Sequence, residues 1–172
     1  MHIYYLHTEN AIQAVDAIAK GLSNLRLSTD LYLSDHEYAL INNELILDED
    51  NKLTAADLKN IVKKIGRIYR CSDSEIDPLE DRSAGYYKLV PTAETPLLEV
   101  SGVKMHISKS TDPFTSASEM SLQAVRTGDK VLDYCSGLGY AAIAVHCLAA
   151  SEVTTIELSP EVMNLRALNS WS

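Results

Sequence analysis

The N-terminal part of the chain contains two stretches in which apolar residues recur every three or four positions. Residues 8–22 and 53–69 have this helical period, which predicts two amphipathic helices. Thr8 and Thr54 are the expected N-caps, and Gly21 is expected to end the first helix. The residues expected to face the core are Ala11, Ile12, Val15, Ile18, Ala19 and Leu22 in the first helix, and Leu53, Leu58, Ile61, Ile65 and Ile68 in the second.

Between and after these helices the pattern changes to that of short strands. Residues 25–34 and 37–47 are predicted to be extended, with a hairpin turn at Asn42 and Asn43. The acidic, turn-rich stretch 71–85 is predicted to be a linker or mobile loop.

The middle of the chain combines further short strands with one helix. Strands are expected at 86–90, 96–100 and 103–107, followed by a helix over 115–128 that Ser116 or Ser118 caps.

The last segment has the pattern of buried parallel strands. A continuous apolar strand at 130–135 precedes a glycine-rich turn, and an apolar helix, a second strand and a second helix follow up to Ser172. This strand–helix–strand–helix order predicts a βαβ unit. The predicted fold class is therefore α/β: an N-terminal α+β domain at 1–84, a β-hairpin and helix at 85–128, and a βαβα segment with parallel strands at 129–172.

Composition narrows the class of protein. Of 172 residues, 46% are hydrophobic and 23% are charged, which is typical of a compact globular chain. The net charge of −9 and the absence of a basic stripe in the sequence do not favour nucleic acid as a partner. Three cysteines without CxxC spacing, and no signal-peptide or membrane-spanning pattern, predict a cytoplasmic protein that does not enter a membrane.

The glycine-rich turn predicts a ligand site. Parallel sheets bind ligands beyond the carboxyl ends of their strands, where Gly137 and Gly139 allow close approach to the backbone. Glu157 ends the second strand about 20 residues later, where a carboxylate accepts ribose hydroxyls. The alternative is purely structural: a tight turn and a solvated strand end.

Asp133 distinguishes between two nucleotide ligands. Gly137, Gly139 and Ala142 also satisfy a dinucleotide fingerprint, but a carboxylate at Asp133 would repel a pyrophosphate. The same carboxylate suits the ammonium of a methionine-like tail. The expected cofactor is therefore S-adenosylmethionine, or its decarboxylated form.

The same residues resemble a known family. "VLDYCSGLGYAAIA" followed by "VTTIELSPEVMNLRALNSWS" resembles the first two motifs of class I, Rossmann-like S-adenosylmethionine-dependent methyltransferases. More narrowly, "LGYAAI", "LNSWS" and the upstream "YYKLVPTAETPLLEVSGVKMHIS" with "DPF" resemble predicted archaeal-type methyltransferases that are distantly similar to spermidine synthases. The likeness covers about residues 86–172.

The resemblance implies which residues bind the cofactor. Glu157 would bind the ribose, and Leu158 and Ser159 would lie beside the adenine. The family continues through further strands that supply the substrate contacts and catalytic residues, so the resemblance implies a C-terminally truncated chain with an unknown methyl acceptor. The residues implied for the first cofactor loop are Asp133, Tyr134, Cys135, Ser136, Gly137, Leu138 and Gly139.

Three functions stay open at this point. The first is a methyltransferase in which residues 1–84 contribute substrate recognition or dimerisation. The second is an aminopropyltransferase-like polyamine synthase that uses decarboxylated S-adenosylmethionine. The third is a non-catalytic binding module.

Three further side chains are candidates with structural alternatives. His106 is either an acid–base group or a half-buried strand histidine. Cys135 is either a reactive thiol or a small packing residue, and Asp112 either contacts the methionine end or caps a turn. No pair of histidines in the sequence has metal-ligand spacing, so no metal is expected.

Overall fold

The computed structural model describes residues 2–172, which form two compact units. The first unit ends at Leu79, and the second runs Glu80–Ser172. The described chain is a mixed α/β protein with five helices and several sheets, and most of its strand pairs are antiparallel. Within residues 2–172, no helix combines the length and the apolar character that a membrane span needs.

The first unit contains two antiparallel sheets and two helices. One sheet has the strand order β1-β6-β7, and the other has the order β2-β3-β4-β5. The elements are β1 (Tyr4–His7), α1 (Thr8–Ala19), β2 (Asn24–Leu27), β3 (His36–Ile41), β4 (Glu44–Ile46), β5 (Lys52–Thr54), α2 (Ala55–Val62), β6 (Ile68–Ser72) and β7 (Glu75–Pro78).

Helix α1 packs most closely through small residues, and of the branched residues expected to face the core, Val15 and Ile18 are partly buried against it. Ala11, Ala14 and Ala17 are buried, whereas Ile12 is 42% exposed. Its N-cap is His7, not Thr8. The spacing of three residues places the alanines on one face, where short side chains allow the helix to approach the core closely.

Helix α2 is shorter than the predicted helix at 53–69. It is capped at Thr54, as expected, but ends at Val62. Ile65, predicted to face the core, is 82% exposed, and Ile68 belongs to β6. Gly66 adopts a φ of 73°, a left-handed conformation in the turn that connects α2 to β6.

Two asparagines make the hairpin turn that the sequence predicts. Asn42 and Asn43 have φ values of 53° and 65° between β3 and β4. Two consecutive left-handed residues define a turn whose twist matches that of the flanking strands.

The prediction of a linker at 71–85 is wrong. Much of this stretch lies in β6, β7 and a short strand at Glu80–Asp81, and Cys71 pairs with Ile76 across a tight turn. Asp73 and Ser74 have φ values of 51° and 63°, so the polar residues form a hairpin turn rather than an unstructured connection.

The second unit contains a four-stranded antiparallel sheet, a pair of parallel strands and three helices. The antiparallel sheet has the order β11-β10-β9-β8, and the parallel pair is β12-β13. The elements are β8 (Glu80–Asp81), β9 (Tyr87–Val90), β10 (Leu97–Val100), β11 (Val103–Lys104), α3 (Pro113–Ala124), β12 (Lys130–Tyr134), α4 (Tyr140–Cys147), β13 (Glu152–Ile156) and α5 (Pro160–Ala167).

A row of alternating charges crosses the antiparallel sheet. Glu80 pairs in register with Lys88, Lys88 with Glu99, and Glu99 with Lys104. The Nζ of Lys88 lies 3.1 Å from Oε1 of Glu99, and both side chains are about 85% buried, since their exposed fractions are 15% and 16%. Opposite charges on neighbouring strands stabilise this register.

The predicted strand–helix–strand–helix order of the last segment is present, and β12 pairs with β13 in parallel. One face of this pair packs against α4. The other face exposes Leu132, Tyr134 and Ile156. Parallel strands are usually covered on both faces. The second face of this pair is instead an exposed apolar surface.

Candidate functional site

The site is built where the two parallel strands end. Asp133 pairs with Thr155 and Tyr134 with Ile156, so the carboxyl ends of β12 and β13 meet at one edge. Asp133 lies near the end of β12, and Glu157 follows β13 directly. Side chains that sequence separates by 24 positions are therefore brought to the same edge of the pair.

The connection from β12 to α4 contains three left-handed residues. Cys135, Gly137 and Gly139 have φ values of 62°, 54° and 81°. A non-glycine residue in this region is strained by about 1 kcal/mol or more, and such strain concentrates at functional sites. Cys135 is therefore the residue with the most strained backbone of these three.

The two glycines have different surroundings. A Cβ at Gly137 would meet no atom within 4 Å, so this part of the turn faces open space. A Cβ at Gly139 would lie 2.6 Å from the guanidinium of Arg166. At Gly139, therefore, the group that lies close to the backbone is the side chain of Arg166 from α5.

One carboxylate oxygen of Asp133, Oδ2, is buried without a hydrogen-bond partner. Ala142, whose amide is near the carboxylate, lies in the first turn of α4. Burial raises the pKa of Asp133 above its ordinary value, Arg166 and the amide of Ala142 oppose this shift, and Glu157 adds to it. A buried carboxylate without a partner is costly, and an incoming cation would remove that cost.

Asp133 lines a hollow of about 350 Å³. Cys135, Ser136, Ser116, His106 and Tyr140 also contribute to its walls. Its other lining residues are apolar and come from the segment before α3, from α3 and from α4: Met105, Ile107, Pro113, Ala117, Met120 and Ala141.

Glu157 forms a hydrogen bond with the glycine turn and does not line the hollow. Its Oε2 accepts a hydrogen bond of 2.8 Å from the amide of Gly137, and its Oε1 accepts one of 3.0 Å from the amide of Ser159. Glu157 is not among the residues that line the hollow. A carboxylate has about four lone-pair directions, so these two amides fix its orientation and leave capacity for further donors.

The remaining predicted cofactor residues have distinct environments. Tyr134 and Leu158 are 71% and 94% exposed. Ser136 is buried and accepts a hydrogen bond from Arg166, and Leu138 is fully buried. The hydroxyl of Ser159 accepts from the amide of Val162 and caps α5. The structure thus brings Asp133, Cys135 and Ser136 to the hollow and Gly137 to Glu157, and it gives Leu138 and Ser159 structural contacts.

Four interactions near the site are not evident from the sequence. Arg166 packs over Gly139 and donates to Ser136, and the hydroxyl of Tyr140 donates to the carbonyl of Pro96 at 2.6 Å while accepting from Asn169. An arginine in the last turn of a helix looks like a surface residue in sequence. Its position over the turn depends on how α5 packs, which no local pattern records.

The other candidate side chains also find partners. Asp112 is the N-cap of α3 and accepts from the amides of Phe114 and Thr115, so it has a cap role. The helix starts there rather than at Ser116 or Ser118. His106 lies beyond β11, and its Nδ1 accepts a hydrogen bond of 3.2 Å from the amide of Leu98.

Among residues 2–172, the structure holds no group of three or more His, Cys, Asp or Glu side chains arranged to bind a metal ion. The lining of the hollow contains three groups of the kinds that bind metals: one carboxylate, one imidazole and one exposed thiol. This set suits an organic ligand with a small number of polar groups.

No known protein family matches the sequence. The chain is 41% identical over 116 residues to an uncharacterized protein, MJ1233, of Methanocaldococcus jannaschii. The match covers 67% of this chain and 40% of that protein, so the chain spans less than half the length of the relative that it matches.

Proposed function

We propose that the second unit binds S-adenosylmethionine and that the protein is an S-adenosylmethionine-dependent methyltransferase. One observation supports this most directly: the buried Oδ2 of Asp133 has no partner and belongs to a carboxylate that lines an apolar hollow. An ammonium group placed there would satisfy the oxygen and offset the raised pKa of Asp133. The methionine tail of the cofactor ends in such a group.

The open turn and Glu157 extend the proposed site away from the hollow. A ligand whose tail occupies the hollow would pass over Gly137, where the turn faces open space, and would reach Glu157. The carboxylate of Glu157, fixed by two amides, would then accept the ribose hydroxyls. In this proposal the parallel pair β12-β13 is the first part of a Rossmann-like sheet.

Methyl transfer asks little of the protein beyond alignment. The sulfonium already carries a good leaving group, so holding the acceptor in line with the methyl group supplies much of the acceleration. We assign no catalytic residue among the 172, and the methyl acceptor is not proposed. In our proposal, residues 1–84 contribute substrate recognition or dimerisation, and the enzyme works in the cytoplasm.

Aminopropyl transfer is the second candidate, because Asp133 would serve the amine of decarboxylated S-adenosylmethionine equally well. The two candidates differ in the cofactor that they use. A non-catalytic binding module would bind either cofactor without a reaction.

The experiment is calorimetric titration of the 172-residue chain with S-adenosylhomocysteine at pH 7.5. We expect saturable heat from one site, and we expect Asp133→Asn to weaken binding by at least about tenfold because a charged hydrogen bond contributes about 1.5–3 kcal/mol. The matched control is Asp129→Asn, at the opposite end of β12, where an amide oxygen still accepts from Arg126. Absence of heat with the unaltered chain, or equal binding by both variants, would overturn the proposal.

A further inference from the structure

The hydrogen bond at His106 fixes the position of the proton on its ring. The amide of Leu98 donates to Nδ1 over 3.2 Å, and an amide can only donate, so Nδ1 has no proton. Burial lowers the pKa of His106, which keeps the ring neutral near pH 7. In a neutral imidazole with a bare Nδ1, the proton is on Nε2.

This tautomer makes His106 a donor rather than a base. The nitrogen that could accept a proton already accepts from Leu98, and the other nitrogen bears hydrogen. Within the described chain, Nε2 makes no hydrogen bond to a protein group, and unlike Oδ2 of Asp133 it is not fully buried. The ring packs against Tyr140 with 5.4 Å between ring centroids, which limits its rotation, and both residues line the hollow.

The hollow therefore presents two complementary unpaired groups in a largely apolar wall. Asp133 offers an acceptor, Oδ2, and His106 offers a donor, the Nε2 hydrogen. An amine alone would satisfy only the first. A zwitterion, in which an ammonium and a carboxylate are attached to one carbon, would satisfy both.

We propose that the Nε2 hydrogen of His106 binds the carboxylate of an α-amino acid tail whose ammonium pairs with Asp133. This inference rests on the proposed function and deepens it. His106 then determines cofactor specificity: the site takes S-adenosylmethionine and disfavours the decarboxylated form, which would leave the donor unpaired. Sites built to hydrogen-bond a group discriminate against analogues that lack it, because the donor then loses a charged partner and keeps at most water.

The test compares two ligands that differ in one group. S-adenosylhomocysteine has the carboxylate, and 5′-(3-aminopropyl)thio-5′-deoxyadenosine has the same chain without it. We expect the unaltered protein to bind the first at least about tenfold more tightly in calorimetry, a difference of about 1.4 kcal/mol.

Two variants separate binding from a structural role. His106→Gln places an amide donor near the position of Nε2, whereas His106→Asn keeps an acceptor near Nδ1 for Leu98 but has no group at Nε2. We expect His106→Gln to preserve most of the preference and His106→Asn to reduce the affinity ratio to about twofold or less. Circular dichroism of each variant checks that the fold is intact.

The outcomes distinguish the two proposals. If the unaltered protein binds both ligands equally, or if the Asn variant keeps the preference and the Gln variant loses it, the role of His106 is overturned while the proposed cofactor site stands. If neither ligand gives heat, the proposed function fails, and the role of His106 fails with it.

Discussion

The amide of Gly137 donates a 2.8 Å hydrogen bond to Oε2 of Glu157, which joins the turn after one parallel strand to the end of the next. The other oxygen of Glu157 accepts from the amide of Ser159. This carboxylate therefore stabilises the turn and is also our proposed ribose ligand, so its removal has two separable effects.

Glu157→Ala is expected to reduce stability and to weaken binding of S-adenosylhomocysteine. The loss of stability should be about 1–3 kcal/mol, since two amides lose their acceptor. The loss of affinity should be at least about tenfold, equal to about 1.4 kcal/mol. Urea denaturation and calorimetry measure the two quantities.

Glu152→Ala is the matched control for this change, because it removes the same charge from the opposite end of β13. Glu152 pairs with Lys130 on the surface, where the two side chains are 56% and 78% exposed. Its loss should change stability by less than about 1 kcal/mol and leave affinity unaltered. If both variants bind alike, Glu157 has no role in the ribose site.

Asp133→Asn is expected to stabilise the protein at pH 7. The pKa of Asp133 is raised in the folded state, so folding favours the protonated form, and stability falls as pH rises through the raised pKa. Removing the charge should therefore increase the free energy of unfolding at pH 7, by less than about 1 kcal/mol because solvent screens the partly exposed side chain. The difference between the proteins should shrink as pH falls toward 4.

Urea denaturation followed by the fluorescence of Trp171, which lies in the same unit as Asp133, gives this comparison at both pH values. A variant that is less stable at both pH values by the same amount would show that the raised pKa of Asp133 has no consequence for folding. Together with the loss of binding expected for Asp133→Asn, a gain in stability would show that the site is maintained at a cost to the fold.

His7 should make the first unit sensitive to acid. Its Nδ1 accepts from the amide of Glu9 at the start of α1, and burial lowers its pKa below 6.5 although Glu9 opposes the shift. The folded state therefore favours the neutral ring. This contribution to stability is complete above about pH 6.5 and is lost as pH falls toward the lowered pKa.

Hydrogen–deuterium exchange of the amides in α1, at pH 7.5 and 5.5, measures this effect once intrinsic exchange rates are taken into account. In the unaltered protein, the free energy of opening of these amides should be about 1 kcal/mol lower at pH 5.5 than at pH 7.5. His7→Asn keeps an acceptor but does not titrate, so its free energy of opening should fall by less. Equal losses in both proteins would assign the acid sensitivity to other groups.

Lys88→Met tests the row of charges across the antiparallel sheet. The change leaves the largely buried Glu99 without its 3.1 Å partner and removes the residue opposite Glu80. Stability should fall by about 2 kcal/mol, and replacing Glu99 with Leu in the same chain should restore much of it, because two apolar residues then face each other.

Lys130→Met is the control for Lys88→Met. Lys130 pairs with Glu152, and the two side chains are 78% and 56% exposed, so the loss of Lys130 should cost less than about 1 kcal/mol. If the two single variants are equally stable, the buried pair contributes no more than the surface pair.

Local patterns predicted those parts of the fold that depend on local chemistry. Asn42 and Asn43 tolerate left-handed backbone, so their turn is visible in sequence, and the apolar run that ends at Asp133 marks a parallel strand. The hairpin of β6 and β7 was missed because its strands have charged residues on exposed faces and are defined by pairing with distant β1.

The site shows the same division between local and long-range information. Asp133 and Glu157 were predicted as site residues because Asp133 lies near the end of one apolar strand and Glu157 follows the next at a characteristic spacing. The stacking of Arg166 on Gly139, the bond from Tyr140 to Pro96 and the tautomer of His106 were not found. Each of these depends on residues far apart in sequence, and no single segment contains that information.

The three thiols occupy different environments, so their rates of alkylation can report whether the hollow is occupied. Cys135 lines the hollow, Cys147 is exposed at the end of α4, and Cys71 is buried with its pKa raised to about 12. Iodoacetamide should therefore alkylate the first two in the native protein. An occupant of the hollow should shield Cys135 alone and leave Cys147 as the internal reference, so mass spectrometry could rank cofactor analogues before any methyl acceptor is known.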